Sequence, residues 1–523
     1  MTRKEIARLL WSVSNSDWLL GSVIAGFVLY AILFGVPSGD FYYDEGHYAA
    51  VAKLLLNGWE IYQDIQLNYT PNVIILYELL FRAFGPDLIY VRYISVLIFS
   101  IAAFLTSVIT ANTTGSQRLG TIVACLFLVT VAAFDGSRLT ASTLAILTSL
   151  LAVMAHIKIL SGKSLWWPFL LGACLSATFF TKQNIGVYDL IAHLILFVFG
   201  SVKGLYAQGY KEISGMAVVG ATIIASPYLI EIARNPALIS YIWEDLVLST
   251  GHYASTGSIS FPTPTDLIGS LSPNYVISNI SLYSIFFFLI SAYLFFANRS
   301  QMSAKTKFIC GLLVFLALFN YLQVFPRVGL SHYIRSSTYL LVAGSILAYF
   351  SWKSRHSSSH GPLVISLLTI FIHSLSPVAV TGSKVINSVP KKFSELPYSE
   401  SFKQFSHETD LQAVIEVLEK KEDLENSQVV FMRYPQLYYF SRFEPINRNL
   451  ELQPFKLSLA QEQAFLSDSE VKDVKVIVIG PWVQSSDFQL IDEAISHDYQ
   501  LTHRIGVFEV WSRNSDENPE HFF

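Results

Sequence analysis

Charge is scarce in this sequence. Only 14% of its 523 residues are Asp, Glu, Lys or Arg, while 52% are hydrophobic. Soluble domains carry about 25% charged residues, so the composition excludes an ordinary water-soluble globule of this size. The net charge of -4 comes with no basic tail or stripe, which leaves nucleic acid no electrostatic footing as a partner. Cysteine is almost absent: Cys125, Cys174 and Cys310 lie in apolar runs at unrelated spacings. Neither a disulfide framework nor a metal cluster can be built from them. There is also no internal repeat, no GxGxxG, no P-loop and no His-Glu-x-x-His, so neither a nucleotide cradle nor a dedicated metal site is marked.

What the chain does have is long apolar runs. The mean hydropathy is +0.44, and about eleven runs have roughly the length that crosses ~30 Å of hydrocarbon. They begin near Trp18, Leu88, Leu119, Leu139, Leu165, Ile185, Met216, Ser281, Phe308, Ile334 and Leu363. Irregular backbone cannot face lipid, so each run is expected to be helical. With the N-terminus placed in the cytoplasm, Arg3, Lys4, Arg8, Arg118, Lys158, Lys163, Lys203, Lys211, Lys305 and Lys353 fall on the inner side. The short outer loops keep only Arg138, Lys182, Arg327 and Arg335. That is the positive-inside pattern. An odd number of crossings then puts the C-terminal segment outside, in an integral multi-pass protein of the kind found in a bacterial inner membrane.

Three stretches are not spans. A first outer loop, 38–87, mixes charge, Tyr and Pro, and Ala49, Ala50, Lys53, Leu54 and Asn57 fall at spacings suited to a helix lying at the interface. A long outer loop, 233–280, is rich in Ser, Thr, Pro and aromatics without a sustained period. From Lys384 the composition becomes that of a soluble domain. There, Glu408–Lys420 reads as an amphipathic helix, and 429–432, 474–479 and 507–511 read as strands, with helices at 459–466 and 488–496. The expected organisation is a membrane domain, 1–383, and a small extracytoplasmic α/β domain, 384–523.

Chemistry concentrates after the first run, in Asp40-Phe41-Tyr42-Tyr43-Asp44-Glu45-Gly46-His47-Tyr48. Carboxylates crowded beside an apolar surface suit a general base, although Tyr-rich loops also simply anchor at headgroups. Asp135 lies in the second outer loop, where it could equally cap the next helix. Lys182, with Gln183 beside it, and the run Arg327, His332 and Arg335 offer donors where charge develops on a phosphate. Lys and Arg at span ends also serve as plain interface anchors. His156, His193 and His373 read as helix-packing residues.

The order Tyr43-Asp44-Glu45-Gly46-His47-Tyr48, Ala49, Ala50, Leu55–Gly58, Tyr62, then Pro71, Tyr77, Phe84-Gly85 and Arg92 resembles the first outer loop of GT-C-type membrane glycosyltransferases. The protein mannosyltransferases and the lipid A aminoarabinose transferases are the groups it is most similar to. The resemblance covers roughly the first hundred residues. It implies inverting transfer of a sugar from a polyprenyl-phosphate donor to a hydroxyl of a lipid, glycan or protein. It also implies Asp44 as the catalytic or acceptor-orienting aspartate, Glu45 as its partner and Asp135 as the second catalytic carboxylate; His47 and Tyr69 are further candidates for substrate binding. Aminoarabinose transferases carry a Lys before a Pro pair in this loop, whereas this chain has Tyr69-Thr70-Pro71-Asn72. That leaves donor phosphate binding unassigned, with Lys182, Gln183, Arg327, His332 and Arg335 as candidates that could equally be interface anchors. A divalent cation, Mg or Mn, bridging Asp44, Asp135 and the donor phosphate stays open. The rival classes are a polysaccharide ligase or polymerase, and a lipid or sugar transporter, which would show repeats and mid-membrane charge.

Overall fold

The fold comes from a computed structural model describing residues 15–32, 43–132, 138–162, 164–248, 279–297, 302–324, 337–353, 361–375, 408–421, 428–448, 459–468, 471–480 and 490–514, with a few isolated positions. In chain order the helices begin with α1 (Asn15–Tyr30), α2 (Tyr43–Leu56), α3 (Asn72–Phe84), α4 (Leu88–Thr114) and α5 (Gln117–Phe127). Next come α6 (Ala141–Ile159), α7 (Trp166–Thr181), α8 (Gln183–Val202), α9 (Tyr210–Arg234) and α10 (Leu238–Trp243). They are followed by α11 (Ser284–Ala297), α12 (Ala304–Tyr321), α13 (Thr338–Lys353) and α14 (Gly361–Leu375). The last four are α15 (Glu408–Glu419), α16 (Gln436–Phe440), α17 (Leu459–Ser467) and α18 (Leu490–Asp498).

Every one of the eleven apolar runs carries a helix, as a bilayer requires. Their lengths vary. Six are long and apolar enough to cross a membrane: Leu88–Thr114, Ala141–Ile159, Gln183–Val202, Tyr210–Arg234, Ile280–Ala297 and Ala304–Tyr321. Trp18–Tyr30, Gln117–Ala132, Trp166–Thr181 and Gly361–Leu375 are apolar but shorter. A sixteen-residue helix such as Trp166–Thr181 rises only about 24 Å, less than a ~30 Å hydrocarbon core.

The chain forms two compact units. One comprises Met1–Gly39, Arg92–Leu229 and Ile259–Phe393; the other comprises Asp40–Val91, Ile230–Ser258 and Ser394–Phe523.

In the first unit local sequence sets the helix starts. Ser116 Oγ accepts the Leu119 N–H at 3.3 Å and opens α5. Thr140 opens α6 with a reciprocal pair: its hydroxyl accepts Thr143 N–H at 3.2 Å, and Thr143 Oγ1 accepts Thr140 N–H at 3.4 Å. Ser303 accepts the Thr306 N–H at 3.1 Å at the head of α12. Each satisfies an amide that the helix itself leaves unpaired. The Ala-rich face of α6 packs on α7, burying Ala152, Ala155, Ile159, Leu171 and Cys174 together. Where α7 crosses α9 the backbones nearly touch. A Cβ at Gly220 would lie 2.0 Å from the Phe169 carbonyl, and one at Gly172 would lie 1.8 Å from that of Ala217. Close approach through small residues is how helices gain packing in lipid.

The second unit contains a four-stranded sheet: β1 (Val429–Met432), β2 (Val476–Ile479), β3 (Tyr499–Ile505) and β4 (Phe508–Arg513), in the order β1-β2-β4-β3. β1 and β2 run parallel, with Val430 opposite Ile477; β2–β4 and β3–β4 are antiparallel. Gly506, at φ +55°, makes the two-residue turn between β3 and β4, a conformation glycine adopts without strain. Helices α17 and α18 cover one face, burying Val430, Met432, Phe465, Val474, Ile491 and Ile495. Buried Glu462 on α17 accepts the N–H groups of Leu490 and Ile491 at the head of α18.

Candidate functional site

In the second unit, α2 starts at Tyr43, so Asp44 and Glu45 occupy its first turn. Carboxylates are favoured there because the exposed N–H groups and the helix dipole are positive at that end. Asp44 is half-buried, while Glu45 and His47 are buried. The helix begins six residues earlier than the alanine-centred segment read from sequence, and it does not lie on a surface. Ala49, Ala50, Val51 and Ala52 are fully buried, because their short side chains let α3 and α16 pack close.

Aromatic rings surround this turn. Tyr69 meets His47 edge-on at 5.8 Å and Tyr48 at 5.4 Å, and Tyr48 meets Tyr77 at 5.8 Å. These are the edge-to-face spacings that aromatic quadrupoles prefer. Tyr69 is itself tethered, since its carbonyl accepts the Tyr62 hydroxyl at 3.1 Å. Tyr62 holds φ +67°, a left-handed conformation that is strained for a bulky residue and concentrates near functional sites.

The far end of α2 is fixed by the C-terminal segment. Lys53 Nζ donates to the carbonyls of Tyr438, Tyr439 and Ser441 at 3.3, 3.0 and 2.6 Å, closing the C-terminal end of α16. Burial lowers the Lys53 pKa, and nearby Glu444 opposes that shift. Asn57 donates to Glu444 at 3.1 Å, and Tyr439 stacks on Phe81 and donates to the Pro86 carbonyl.

A second fixation point was not anticipated. Arg448 Nη2 reaches both carboxylate oxygens of Asp245 at 2.8 Å, and Arg448 Nη1 reaches Glu244 at 3.4 Å. Asp245 Oδ2 also accepts the Leu67 N–H at 3.1 Å, while the Arg448 carbonyl accepts Gln66 N–H at 2.7 Å. The guanidinium lies 4.5 Å above the Tyr241 ring. Burial pushes the Asp245 carboxyl up to about 7 against the pull of Arg448. Three segments far apart in sequence, 66–67, 241–245 and 448, are thereby tied together.

In the first unit, Lys182 stands between α7 and α8, with Gln183 the first residue of α8. Both are half-buried, and Lys182 Nζ donates to Ser142 Oγ at 2.8 Å. Asp135, Arg327, His332 and Arg335 lie outside the described residues. The N-cap of α6 is Thr140, so capping that helix is not the work of Asp135. His156 and His193 are buried and bonded to each other at 2.8 Å, a packing role as read from sequence. Among the described residues no group of three His, Cys, Asp or Glu side chains is placed to hold a metal ion.

No family model matches the chain, and no curated protein matches it in sequence. Solved structures do. ArnT from Cupriavidus metallidurans bound to undecaprenyl phosphate aligns over 96% of this chain and 99% of its own, with TM-score 0.54 and 11% identity. The Archaeoglobus fulgidus oligosaccharyltransferase, in complex with Zn and sulfate, aligns over 88% of this chain and 68% of its own, with TM-score 0.50 and 11% identity. The chain therefore shares its fold with these two structures: many apolar helices with a small C-terminal sheet. The chain is an integral multi-pass membrane protein.

Proposed function

We propose that this protein is a glycosyltransferase that moves a sugar from a polyprenyl-phosphate donor to a hydroxyl acceptor at the extracytoplasmic face, with inversion. One observation carries the reading: Asp44 and Glu45 open a buried helix, ringed by aromatics, on a fold shared with a transferase that binds undecaprenyl phosphate. In this reading the donor's tail stays in lipid and its sugar reaches the first turn of α2. Asp44 takes or orients the acceptor proton as the acceptor oxygen attacks C1 opposite the phosphate. The C1–O bond to phosphate breaks, and polyprenyl phosphate leaves. Glu45, His47 and Tyr69 shape the sugar subsite, and Asp135 serves the same reaction.

The leaving phosphate needs positive charge and N–H donors. We assign these to Lys182 and Gln183, together with Arg327, His332 and Arg335. A Mg or Mn ion, if used, would be held by Asp44 and Asp135 and would draw its other ligands from the donor phosphate, as Mg sites often do. No step here is routed through it. The N-terminus is assigned to the cytoplasm and the segment after Lys384 to the opposite side.

The test is sugar transfer in proteoliposomes supplied with a radiolabelled lipid-linked donor. Asp44→Asn keeps the shape and removes the charge. Transfer should fall by roughly 10²–10⁴ while yield and melting temperature stay near those of the wild type. Near-normal turnover in that variant would overturn the assignment.

A further inference from the structure

Within the bundle of the first unit lies a carboxylate that no part of the proposed transfer uses. Asp189 is two turns into α8 and fully buried. Its Oδ2 accepts the hydroxyl of Ser149 on α6, and its Oδ1 accepts the Asn320 amide on α12 at 2.9 Å. Gln323, in the turn after α12, donates to Asn320 Oδ1 at 2.7 Å, and Tyr339 on α13 hydrogen-bonds Ser149. All of these side chains are buried. Four helices thus meet at one acidic group.

The site belongs to a longer seam. Ser142, Ser149 and His156 recur every seven residues along α6; they bond in turn Lys182, the residue just before α8, and Asp189 and His193 on α8. Seven residues return to the same helix face, so the two helices meet along a polar line. Of the groups facing Asp189, α6 offers Ser149, α12 and its following turn offer Asn320 and Gln323, and α13 offers Tyr339. Among the described residues no Lys, Arg or His pairs with it; Lys182 above bonds Ser142, and His193 below bonds His156.

An ionised carboxylate has room for about four hydrogen-bond donors and receives two here. Left uncompensated in an apolar interior, its charge is very costly. One positive charge is missing, and a divalent ion would overshoot it. Beside the carboxylate stand two hydroxyls, of Ser149 and Tyr339, while Asn320 turns its NH2 toward it; a carboxylate with hydroxyl oxygens is a hard donor set, suited to an alkali ion or to sharing a proton. We propose that Asp189 is the centre of a binding site for a single exchangeable monovalent cation, a proton or a sodium ion. Occupancy joins α6, α8, α12 and α13, and release loosens them. This site stands apart from the proposed transfer chemistry.

The test uses the full-length protein in lipid nanodiscs, without any sugar substrate. Melting is followed as sodium replaces N-methylglucamine at fixed ionic strength, and then as pH is varied without sodium. Infrared spectra are recorded in parallel. For sodium, the melting temperature rises with its concentration, and Asp189→Asn abolishes the rise. For the proton, the wild type shows a protonated-carboxyl band that Asp189→Asn lacks, and the band and the melting temperature fall together as pH is raised. If melting ignores both ions and no such band exists, or if the responses persist in Asp189→Asn, the proposal is wrong. Should Asp189→Asn fail to fold, Ser149→Ala keeps the carboxyl and removes one of its partners. A shifted sodium or pH midpoint in that variant supports the site, and an unchanged midpoint overturns it.

Discussion

At the residue scale, two basic side chains have separable expected roles. Lys182 Nζ donates to the Ser142 hydroxyl, and the proposed reaction asks it to meet phosphate. Lys182→Ala should therefore raise the KM for the lipid-linked donor by tenfold or more, about 1.4 kcal/mol of binding, with little change in protein yield. Equal losses of yield and activity would reduce Lys182 to a helix-end anchor. Arg448 is structural instead. Arg448→Met strands buried Asp245, which typically costs 3–5 kcal/mol; about 3 is expected, because the Arg448 side chain keeps 20% exposure. Burial raises the folded-state pKa of Asp245 to about 7, above its ordinary ~3.9. The folded form therefore holds the proton more tightly, so stability falls as pH rises from about 4 to about 7. Without Arg448, which holds that pKa down, the fall should continue to higher pH, and the variant should approach wild type in acid. Denaturant melts across this range would show it. Adding Asp245→Leu should recover only part of the loss, since Leu67 N–H then lacks its acceptor.

At the scale of elements, the crossing of α7 and α9 gives a controlled comparison on one helix. Gly220 faces the Phe169 carbonyl at a distance no Cβ can occupy, whereas a Cβ at Gly215 would meet nothing within 4 Å. Gly220→Ala must push the two backbones apart, and overpacking of this kind typically costs 1–3 kcal/mol. Gly215→Ala should be neutral. Thermal unfolding in detergent reads both, and equal behaviour would mean that the two helices do not cross at Gly220. The same helix carries Pro227, which removes one backbone hydrogen bond. A neighbouring helix tolerates that within a membrane.

For the whole molecule, topology is the deciding property. The cation pattern assigns Lys163 to the cytoplasm and Lys420 to the other side. Reporter fusions at these two positions should give opposite signals, and matching signals would mean that one apolar run does not cross. The six long helices and the shorter ones make that experiment informative, since hydropathy alone does not count the short ones. The second unit gathers stretches as distant as Asp40–Val91, Ile230–Ser258 and Ser394–Phe523. Changes in the C-terminal segment at Lys53's carbonyl partners or at Arg448 should therefore be felt at α2, where Asp44 stands.

The sequence by itself determined the membrane character, every helix-bearing apolar run, and most of the C-terminal α/β elements. Those signals are local: hydropathy over a window and periodicity. It missed β3, whose residues Tyr499–Ile505 are mostly exposed and are strand only because β4 pairs with them through the Gly506 turn. It marked the Asp44–Glu45 pair because the two are neighbours in the chain. It did not mark Asp245 with Arg448, or Asp189 with Ser149, Asn320 and Tyr339. Those partners are separated by 203, 40, 131 and, through Ser149, 190 positions, and nothing local distinguishes a buried Asp from a solvated one. Tertiary structure decided these by removing water. Once a carboxylate loses its hydration, whichever donors the fold brings within 3 Å become its environment, and the chemistry of the site follows from them.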